Sequence, residues 1–545
     1  MRKTILLGGK AGQGSAVTSH LIGKIFCRLG YFVFNYRDYP SLIRGGHNFN
    51  ILEVSDSPVY SQGDSYDIIL AFDQKTVDLH EKNLKEGGFV LGSDKLKSEK
   101  LQAIAIDDIL KKLGGPKILE NDVLIGSLFK YFGVDKEFLF EEAKREFGEK
   151  ADLIIKAIAE GWELVKESEK IKKQEKKNYF ISGNEGVSVG ALAAGIDAYF
   201  AYPMTPATAV LHYLSKKSEE YNVIVSQLEN EIAVANAAVG AAFSGTKVMV
   251  GTSGGGFALM TEAVSLAGIS ELPVVFYLAQ RTGPATGVPT YTSQGDLKIA
   301  LNAGQGEFPR IVLAPGDAKE AIIRTKEAFY LAWKYRNPVI ILGDKHLGES
   351  DYSFRELENS PVSKERFILN NPSEDYKSYQ ITETGVSPVA VPGQGPFVRG
   401  TSYEHDEYGN TTEEPDMIIK MSDKRMKKTK EIEKEVKKLN PAAVYGKGKN
   451  LIVGWGSTKG AIIDSLAGLK DYRFLQVSYL SPFPKDIIKK EIEKSENVVL
   501  VENNVTGLLG KVIMEETGLE IKNRVLKYDG RPFSAKFIIN KIKNG

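Results

Sequence analysis

The stretch TILLGGKAGQGS, residues 4–15, joins a strand-like apolar run to a glycine-rich loop, and a helical pattern follows it from Val17 to about Leu29. Further strand-like runs lie at residues 31–34 and 68–72. Strands that alternate with helices in this way predict an α/β domain with a parallel sheet. We expect this first domain to span residues 1–165.

The remaining sequence repeats the α/β pattern, with two interruptions. In the second α/β domain we predict buried strands at residues 247–251, 274–279, 310–314 and 339–342. The predicted fold is therefore α/β, with several doubly wound parallel-sheet domains. The predicted segments after the first domain are a charged linker at 166–178, the second α/β domain at 179–348, an irregular extension with a charged helix at 349–445, and a C-terminal α/β domain at 446–545.

The composition is that of an ordinary globular protein. Hydrophobic residues make up 42% of the 545 residues and charged residues 26%. The net charge of +1 favours neither nucleic acid nor an anionic membrane as a partner. The N-terminal apolar run is too short for a signal peptide, and no apolar run reaches the about 18 residues typical of a membrane span. We expect a cytoplasmic protein.

Cysteine and histidine usage limits the metal chemistry that this chain can support alone. The sequence has one cysteine, Cys27, which excludes an intramolecular disulfide and any cysteine-ligated iron–sulfur cluster or zinc site within the chain. Its six histidines show no paired spacing such as H-E-x-x-H. We predict no metal site formed by this chain.

Two glycine-rich loops in the first domain are candidate anion sites. The pattern Gly9-x-x-Gly12-x-Gly14 places backbone N–H groups at a helix start, where a phosphate can bind. It has neither the dinucleotide-binding order nor the Lys-Ser/Thr of a P-loop, and a tight turn that binds nothing is an equal alternative. Arg44, followed by two glycines, either exposes its guanidinium to an anion or belongs to a surface loop.

The stretch GTSGG at residues 251–255 spells the G-x-S-x-G pattern of a serine nucleophile between a strand and a helix. A serine hydrolase that uses Ser253 is therefore an alternative function. No HGGG-type oxyanion segment precedes it, however, and the histidines that follow, His346 and His405, lie in no distinctive setting. We favour a glycine-rich turn at a strand end.

Three further motifs combine polar groups with rigid or close-packed backbone. The prolines of YPMTP, residues 202–206, fix a turn that can present a hydroxyl, although a stiff loop without function is the plainer interpretation. Glu231 begins a helix of small residues, where a carboxylate is usually a favourable partner of the helix dipole. Arg281 ends a strand within a Gly/Pro loop, as a carboxylate clamp does, or merely caps the sheet edge.

In this order the motifs resemble the 2-oxoacid:ferredoxin oxidoreductase family, in the form with γ and α regions fused in one chain. The turn at 202–206 is similar to the family's Y-P-I-T-P motif, with Met204 for Ile. At Val389, after Ser387-Pro388, the chain departs from the Arg that the family commonly shows. The other matching stretches are LENEIA at 228–233, GTSGGG at 251–256, QRTGPATG at 280–287, EFPR at 307–310, APGD at 314–317, GKAGQG at 9–14 and RGG at 44–46.

The resemblance implies a role for each matched residue. The second α/β domain would bind the pyrimidine side of thiamine diphosphate, and the C-terminal domain would be transketolase C-terminal-like. Glu231 would contact N1′ of the aminopyrimidine and promote formation of the thiazolium ylid, beside Tyr202 and Pro203. Thr205 would lie near the cofactor and the substrate, and Arg281 would pair with the substrate's carboxylate. The catalytic residues implied are Glu231, Thr205 and Arg281.

The reaction implied by the resemblance is oxidative decarboxylation of a 2-oxo acid. The acyl group would pass to coenzyme A and the electrons to ferredoxin through an iron–sulfur cluster. The fused layout favours 2-oxoglutarate, while pyruvate and branched-chain acids remain alternatives. Gly12, Gly14 and Arg44 would help to hold coenzyme A. A non-catalytic member of the fold that kept the scaffold for binding is a further alternative.

The same resemblance implies a partner subunit. Thiamine-diphosphate enzymes usually hold Mg²⁺ and the diphosphate with a G-D-G motif followed by Asn, and Gly295-Asp296-Leu297 is not that motif. A single cysteine cannot hold an iron–sulfur cluster. A β subunit would therefore carry the Mg²⁺/diphosphate site and a [4Fe-4S] cluster, with thiamine diphosphate at the interface. A dimer of αβ units is expected.

Overall fold

The computed structural model describes residues 1–42, 45–358 and 360–544, and the chain forms two compact units. The first unit contains Met1–Ile181, Ser350–Leu357 and Ser534–Asn540. The second contains Ser182–Glu349, Glu358–Phe533 and Lys541–Gly545. Each unit therefore contains segments that are far apart in the sequence.

Strands and helices alternate along most of the chain, as the sequence predicts. The strands are β1 Arg2–Gly9, β2 Phe32–Asp38, β3 Asn48–Ser55, β4 Tyr66–Ala71, β5 Leu84–Ser93, β6 Leu101–Ile104, β7 Tyr179–Ser182, β8 Ala198–Ala201, β9 Ile224–Gln227, β10 Val248–Thr252, β11 Val274–Gln280, β12 Ile311–Leu313, β13 Val339–Asp344, β14 Asp351–Phe354, β15 Ala442–Tyr445, β16 Asn450–Trp455, β17 Tyr472–Val477, β18 Tyr479–Ser481, β19 Val498–Glu502 and β20 Asn523–Leu526. The α-helices are α1 Ser15–Arg28, α2 Gln74–His80, α3 Ile106–Leu113, α4 Glu120–Tyr131, α5 Lys136–Phe147, α6 Ala151–Leu164, α7 Gly183–Ala194, α8 Thr208–Tyr221, α9 Glu231–Phe243, α10 Gly254–Ile269, α11 Leu297–Leu301, α12 Ala318–Tyr335, α13 Lys345–Glu349, α14 Pro415–Lys437, α15 Thr458–Ser465, α16 Lys485–Glu493, α17 Leu508–Thr517 and α18 Ala535–Asn544.

The first unit is built on an eight-stranded sheet of order β6-β5-β4-β1-β3-β2-β14-β7. The runs predicted at 4–7, 31–34 and 68–72 contribute to β1, β2 and β4. The sheet is parallel from β6 to β1, whereas β1, β3, β2 and β14 pair antiparallel. Only nine residues, 39–47, separate β2 from β3, and a connection of that length can join only antiparallel neighbours. The parallel sheet predicted for this segment is therefore a mixed sheet.

The core of the first unit packs α1 and α4 against this sheet. Cys27, on α1, is buried in that core. Burial raises the pKa of the Cys27 thiol well above its usual range, and the charge of Asp351 acts in the same direction. The cysteine is therefore an unreactive core residue.

The second unit contains a seven-stranded sheet of order β18-β12-β13-β11-β10-β8-β9. The four strands predicted in the second α/β domain are observed as β10, β11, β12 and β13, and every pairing from β12 to β9 is parallel. Alternate residues of β11 enter two core clusters on opposite faces, with Val274 and Phe276 on one and Val275 and Tyr277 on the other. A sheet covered on both faces is typical of a doubly wound fold.

A five-stranded sheet of order β15-β17-β16-β19-β20 completes the second unit. The pairings among β17, β16, β19 and β20 are parallel, and β15 adds an antiparallel edge. The C-terminal α/β segment predicted at 446–545 contains the central strands of this sheet, β16 and β19. This sheet supports the candidate site through contacts described below.

The charged helix predicted within residues 349–445 is α14, and it is held by a buried ion cluster. Lys424 and Lys428 donate to the carboxylate of Glu271 at 2.5 and 3.1 Å, and these three side chains are at most 1% exposed. Burial alone would raise the pKa of Glu271, yet Lys424, Lys428 and Arg336 together hold it well below its usual range. We name these four residues the Glu271 cluster. It fixes the charged helix against the turn between α10 and β11.

Candidate functional site

The sequence motifs meet at one edge of the seven-stranded sheet. The strands β9, β8, β10 and β11 are neighbours and run parallel, so their carboxyl ends lie together. The YPMTP turn follows β8, the triple glycine follows β10, and Arg281 follows β11 directly. Open parallel sheets bind ligands at this edge. The fold thus brings together residues that are up to 80 positions apart in sequence.

Arg281 contacts the YPMTP turn. Its Nη1 donates to the carbonyl oxygen of Thr205 at 2.9 Å, while its buried Nε has no hydrogen-bond partner in the described part of the chain. Burial lowers the pKa of Arg281, and the charge of Asp296 acts in the opposite direction. The Arg281 guanidinium therefore contacts the backbone of the YPMTP turn at Thr205 and keeps a donor free for a ligand.

Two residues that no sequence motif identifies, Asn184 and Tyr277, support the YPMTP turn. The Nδ2 of Asn184 donates to the carbonyl oxygen of Pro206 at 2.9 Å, and the hydroxyl of Tyr277 donates to Oδ1 of Asn184 at 2.8 Å. Both residues are fully buried. Tyr202 stays 38% exposed, so an aromatic face remains open at the mouth of the site. No single motif marks Asn184, because its role depends on packing between distant segments.

Glu231 is the first residue of α9 and is 5% exposed. The helix start is set by Asn230, whose Oδ1 accepts the backbone N–H of Ala233 at 2.9 Å. Among the described residues, no group donates a hydrogen bond to the Glu231 carboxylate. A buried carboxylate without a donor is costly, and a bound ligand that donates to it would relieve that cost.

The triple glycine of α10 lets carboxylates lie directly against the helix. A β-carbon at Gly256 would lie 2.1 Å from Oγ1 of Thr252 and 2.8 Å from Oε1 of Glu231. A β-carbon at Gly254 would lie 2.3 Å from Oδ2 of Asp296. Only glycine leaves room for both acids, so the first turn of α10 has Glu231 on one side and Asp296 on the other.

Asp296 lies in the stretch Gly295-Asp296-Leu297, which does not match the G-D-G motif. Burial raises the pKa of its carboxyl to about 6, although the charge of Arg281 acts to lower it. Its backbone N–H donates to Oε1 of Gln280 at 2.9 Å, and Gln280 is itself fully buried. A carboxyl with such a raised pKa at a sheet's ligand-binding edge is characteristic of functional sites.

The loop that carries Arg281 and Asp296 is anchored to the five-stranded sheet by Gln294. Its Nε2 donates to the carbonyl oxygen of Trp455 at 2.8 Å, and its Oε1 accepts the backbone N–H of Asn503 at 2.9 Å. These partners lie at the carboxyl ends of β16 and β19. Both ends of the loop are therefore fixed, while residues 283–287 between them are exposed.

Ser253 has none of the features of a catalytic serine. Its side chain is fully buried, and its Oγ has no hydrogen-bond partner in the described residues. A nucleophilic serine needs a base within hydrogen-bond reach and access for its substrate. The structure therefore opposes the serine hydrolase alternative.

The glycine loop of the first unit precedes α1, as the sequence predicts. Gly12 and Gly14 have φ angles of 92° and 81°, and Gly14 directly precedes the helix. Nδ2 of Asn121 donates to the carbonyl oxygen of Gln13 at 2.8 Å and braces the loop. Arg44, the third residue predicted to hold coenzyme A, lies outside the described residues. A role for this loop stays a prediction.

Among the described residues, no group of three or more His, Cys, Asp or Glu side chains is arranged to hold a metal ion. None of the described helices has the length and apolar character that crossing a membrane requires.

Two family models match the chain. The model described as pyruvate flavodoxin/ferredoxin oxidoreductase, thiamine-diphosphate-binding, matches residues 189–424 and so covers the site built above. The model described as pyruvate ferredoxin/flavodoxin oxidoreductase matches residues 4–164. Fold and site together define an α/β oxidoreductase chain with a thiamine-diphosphate-binding domain.

Full-length relatives identify the family. The 2-oxoacid:ferredoxin oxidoreductase subunit alpha of Saccharolobus solfataricus is 33% identical, over 100% of this chain and 98% of that protein. The 2-oxoglutarate synthase subunit KorA of Archaeoglobus fulgidus is 30% identical over 62% of this chain and 89% of its own length. The solved 2-oxoglutarate:ferredoxin oxidoreductase of Magnetococcus marinus, with 2-oxoglutarate, coenzyme A and succinyl-CoA bound, superimposes with a TM-score of 0.90 at 28% identity, over 100% of this chain and 99% of that one. The chain belongs to the family of 2-oxoacid:ferredoxin oxidoreductase alpha subunits.

Proposed function

We propose that this chain is the alpha subunit of an enzyme that oxidatively decarboxylates a 2-oxo acid to its acyl-CoA and passes the electrons to ferredoxin, with thiamine diphosphate as cofactor. The observation that carries the proposal is the contact between Arg281 and Thr205, at 2.9 Å. In this contact the Arg281 guanidinium donates to the backbone carbonyl of Thr205, at the edge where open parallel sheets bind ligands. Glu231 lies at the same edge, against Gly256.

The residues at this edge fit the pyrimidine side of thiamine diphosphate. Glu231 is a buried carboxylate to which no described group donates, so a ring nitrogen that carries a proton would satisfy it. Tyr202 and Pro203 belong to the turn after β8 at the same edge of the sheet, and Tyr202 is partly exposed. When bound, the cofactor supplies the carbon nucleophile and electron sink that decarboxylation of a 2-oxo acid needs.

Each of the three proposed catalytic residues has one task. Glu231 holds a proton between its carboxyl oxygen and the pyrimidine ring. Arg281 binds the carboxylate of the 2-oxo acid with the donors that Thr205 leaves free. The hydroxyl of Thr205 donates a hydrogen bond to an oxygen of the substrate and so fixes the substrate's orientation.

A partner β subunit completes the site in this proposal. Ile232 on α9 and Leu259 on α10 are each more than half exposed. A β-carbon at Gly240, also on α9, would meet nothing within 4 Å. Exposed apolar side chains and open small residues leave these helices available for a protein contact. The partner would hold the Mg²⁺, the diphosphate and the [4Fe-4S] cluster, since Cys27 is this chain's only cysteine. Two αβ units would form a dimer.

The favoured substrate is 2-oxoglutarate. The similarity to the 2-oxoglutarate:ferredoxin oxidoreductase of Magnetococcus marinus, with a TM-score of 0.90, and to the KorA subunits supports it. Pyruvate and branched-chain 2-oxo acids stay in the test, because Arg281 recognises only the carboxylate that all of them share. Coenzyme A would be the acyl acceptor, with Gly12, Gly14 and Arg44 as its proposed contacts.

The test is isolation of the chain together with its bound partner from the source cells. The complex is assayed for reduction of a viologen dye with a panel of 2-oxo acids, with and without coenzyme A. We expect reduction that depends on both substrates, and a partner rich in cysteine. Copurification of a partner without any dye reduction would instead favour a non-catalytic member of the fold.

The role of Glu231 is tested in the same complex. Replacement of Glu231 by Gln should lower kcat by about 100- to 10,000-fold, the range for loss of a proton-transferring group. Glu229→Gln is the matched control, because Glu229 is an exposed carboxylate two residues earlier. Equal rates for Glu231→Gln and the control would contradict the assignment.

A further inference from the structure

Asp296 lies between the start of α10 and the end of β11, at the candidate site. Its carboxylate packs against Gly254, the first residue of α10, closely enough that a β-carbon there would lie 2.3 Å from Oδ2. Its backbone is tied to Gln280, the residue directly before Arg281, by a 2.9 Å hydrogen bond. The carboxyl group is therefore held at the same edge of the sheet as Arg281.

This carboxylate has no capping role. Asp296 occupies the N-cap position of α11, yet its side chain makes no capping hydrogen bond to that helix. Ser253 is the N-cap residue of α10 and makes no capping bond either. Among the described residues, no donor to the Asp296 side chain is found. An acid that is largely buried and neither caps a helix nor forms an ion pair is available to a ligand.

Arg281 is the charged group that acts on Asp296. The first turn of α10, which packs against it, contains only glycine and phenylalanine side chains and therefore no charge. Lys298, on α11 itself, is directed to the surface, where it pairs with Glu515 at 2.7 Å. Glu231 lies on the far side of the triple glycine, against Gly256. The ionisation of Asp296 is therefore coupled to the charge around Arg281.

We propose that Asp296 is a substrate-positioning residue that shares Arg281 with the carboxylate of the 2-oxo acid. It is ionised while Arg281 is free, and it takes one proton from solvent when the substrate's carboxylate pairs with Arg281. Two carboxylates then share one guanidinium, and the second anion raises the proton affinity of the first. The protonated Asp296 then donates a hydrogen bond to the bound acid. This inference rests on the proposed function.

The sign of the pH effect follows from that coupling. Asp296 in the free protein has a pKa raised to about 6. Below that pH it is already protonated, and substrate binding requires no proton uptake. Above it, each pH unit lowers the fraction of competent enzyme by up to about tenfold, so kcat/KM for the 2-oxo acid falls as the pH rises. An asparagine at this position has no proton to take up.

The test is the pH profile of kcat/KM for the 2-oxo acid, from pH 6 to 9, in the complex isolated with its partner. We expect the wild-type value to fall by roughly tenfold or more between pH 6.5 and 8.5. Asp296→Asn should show a flat profile and exceed the wild type at pH 8.5. The control, Glu515→Gln, should follow the wild-type profile. An Asp296→Asn variant that keeps the wild-type slope overturns the proposal.

A second measurement needs no variant. Isothermal titration of the wild-type complex with the 2-oxo acid at pH 8, without coenzyme A, is carried out in two buffers of different ionisation enthalpy. Uptake of about one proton per acid bound is expected, and binding without proton uptake overturns the proposal. Failure of the proposed function gives a different result, because a wild-type complex that binds and oxidises no 2-oxo acid at any pH removes both.

Discussion

The Glu271 cluster allows a prediction whose size can be worked out from the structure. The substitution Glu271→Gln removes the carboxylate that contacts Lys424 and Lys428, at 2.5 and 3.1 Å, and leaves both ammonium groups buried. Removing one partner from a buried ion cluster costs about 3–5 kcal/mol, because the remaining charge stays desolvated. The loss should fall mainly on the docking of α14.

Hydrogen exchange of the α14 amides measures this loss locally, which matters in a chain with several units. A cost of about 3–5 kcal/mol corresponds to roughly 100- to 1,000-fold faster exchange or more, at about 1.4 kcal/mol per factor of ten. Glu431→Gln is the control on the same helix, because Glu431 forms an i,i+3 pair with the exposed Lys434. Such surface pairs contribute about 0–1 kcal/mol.

A double substitution in the Glu271 cluster gives a second expected outcome. Adding Lys424→Met to Glu271→Gln removes one of the two stranded charges and should restore part of the protection of α14. Exchange in Glu271→Gln that matches the control would refute the argument, since it would mean that water already compensates the lysines.

Three further predictions concern the site itself. Gly256→Ala places a β-carbon 2.1 Å from Oγ1 of Thr252 and should destabilise the fold by about 1–3 kcal/mol in thermal unfolding. Gly255→Ala, whose β-carbon would have its nearest neighbour 3.8 Å away, should not. Equal melting temperatures for the two variants would argue against the tight packing. Arg281→Lys loses the planar guanidinium, which can donate two parallel hydrogen bonds to a carboxylate. It should raise KM for the 2-oxo acid by roughly ten- to a hundredfold in the dye assay, while KM for coenzyme A is unchanged. An unchanged KM for the acid would exclude the carboxylate clamp. Gln294→Leu leaves the buried backbone N–H of Asn503 without an acceptor, whereas the carbonyl oxygen of Trp455 still accepts from the Thr458 hydroxyl, and it should cost about 1–3 kcal/mol; a wild-type melting curve would show that the anchor is dispensable.

Much of the fold follows from local sequence. The buried strands of the seven-stranded sheet appear as apolar runs bounded by glycine and proline, and such runs are visible without a structure. The antiparallel part of the first sheet is not visible in this way, because β3 follows β2 without a helical segment between them. Sequence periodicity indicates that a strand exists, but not which neighbour it pairs with.

The residues of the candidate site also form two groups, those that sequence motifs reveal and those that they do not. Thr205, Glu231 and Arg281 are found because each lies in a short motif that resembles a family pattern. Asn184 and Asp296 are missed because neither lies in a matching motif, and their importance depends on contacts between segments about 20 to 100 residues apart. Packing of this kind is decided by tertiary structure rather than by local spacing.

The burial of Cys27 has a practical consequence for spectroscopy. Its thiol lies in a hydrophobic core and resists ionisation, so a maleimide reagent should leave the native chain unlabelled. A cysteine introduced at Thr286, in the exposed segment between the two fixed ends of the Arg281 loop, would then be the single labelled position. A fluorophore or spin label there would report directly on the movement of this loop when a 2-oxo acid or a partner subunit binds.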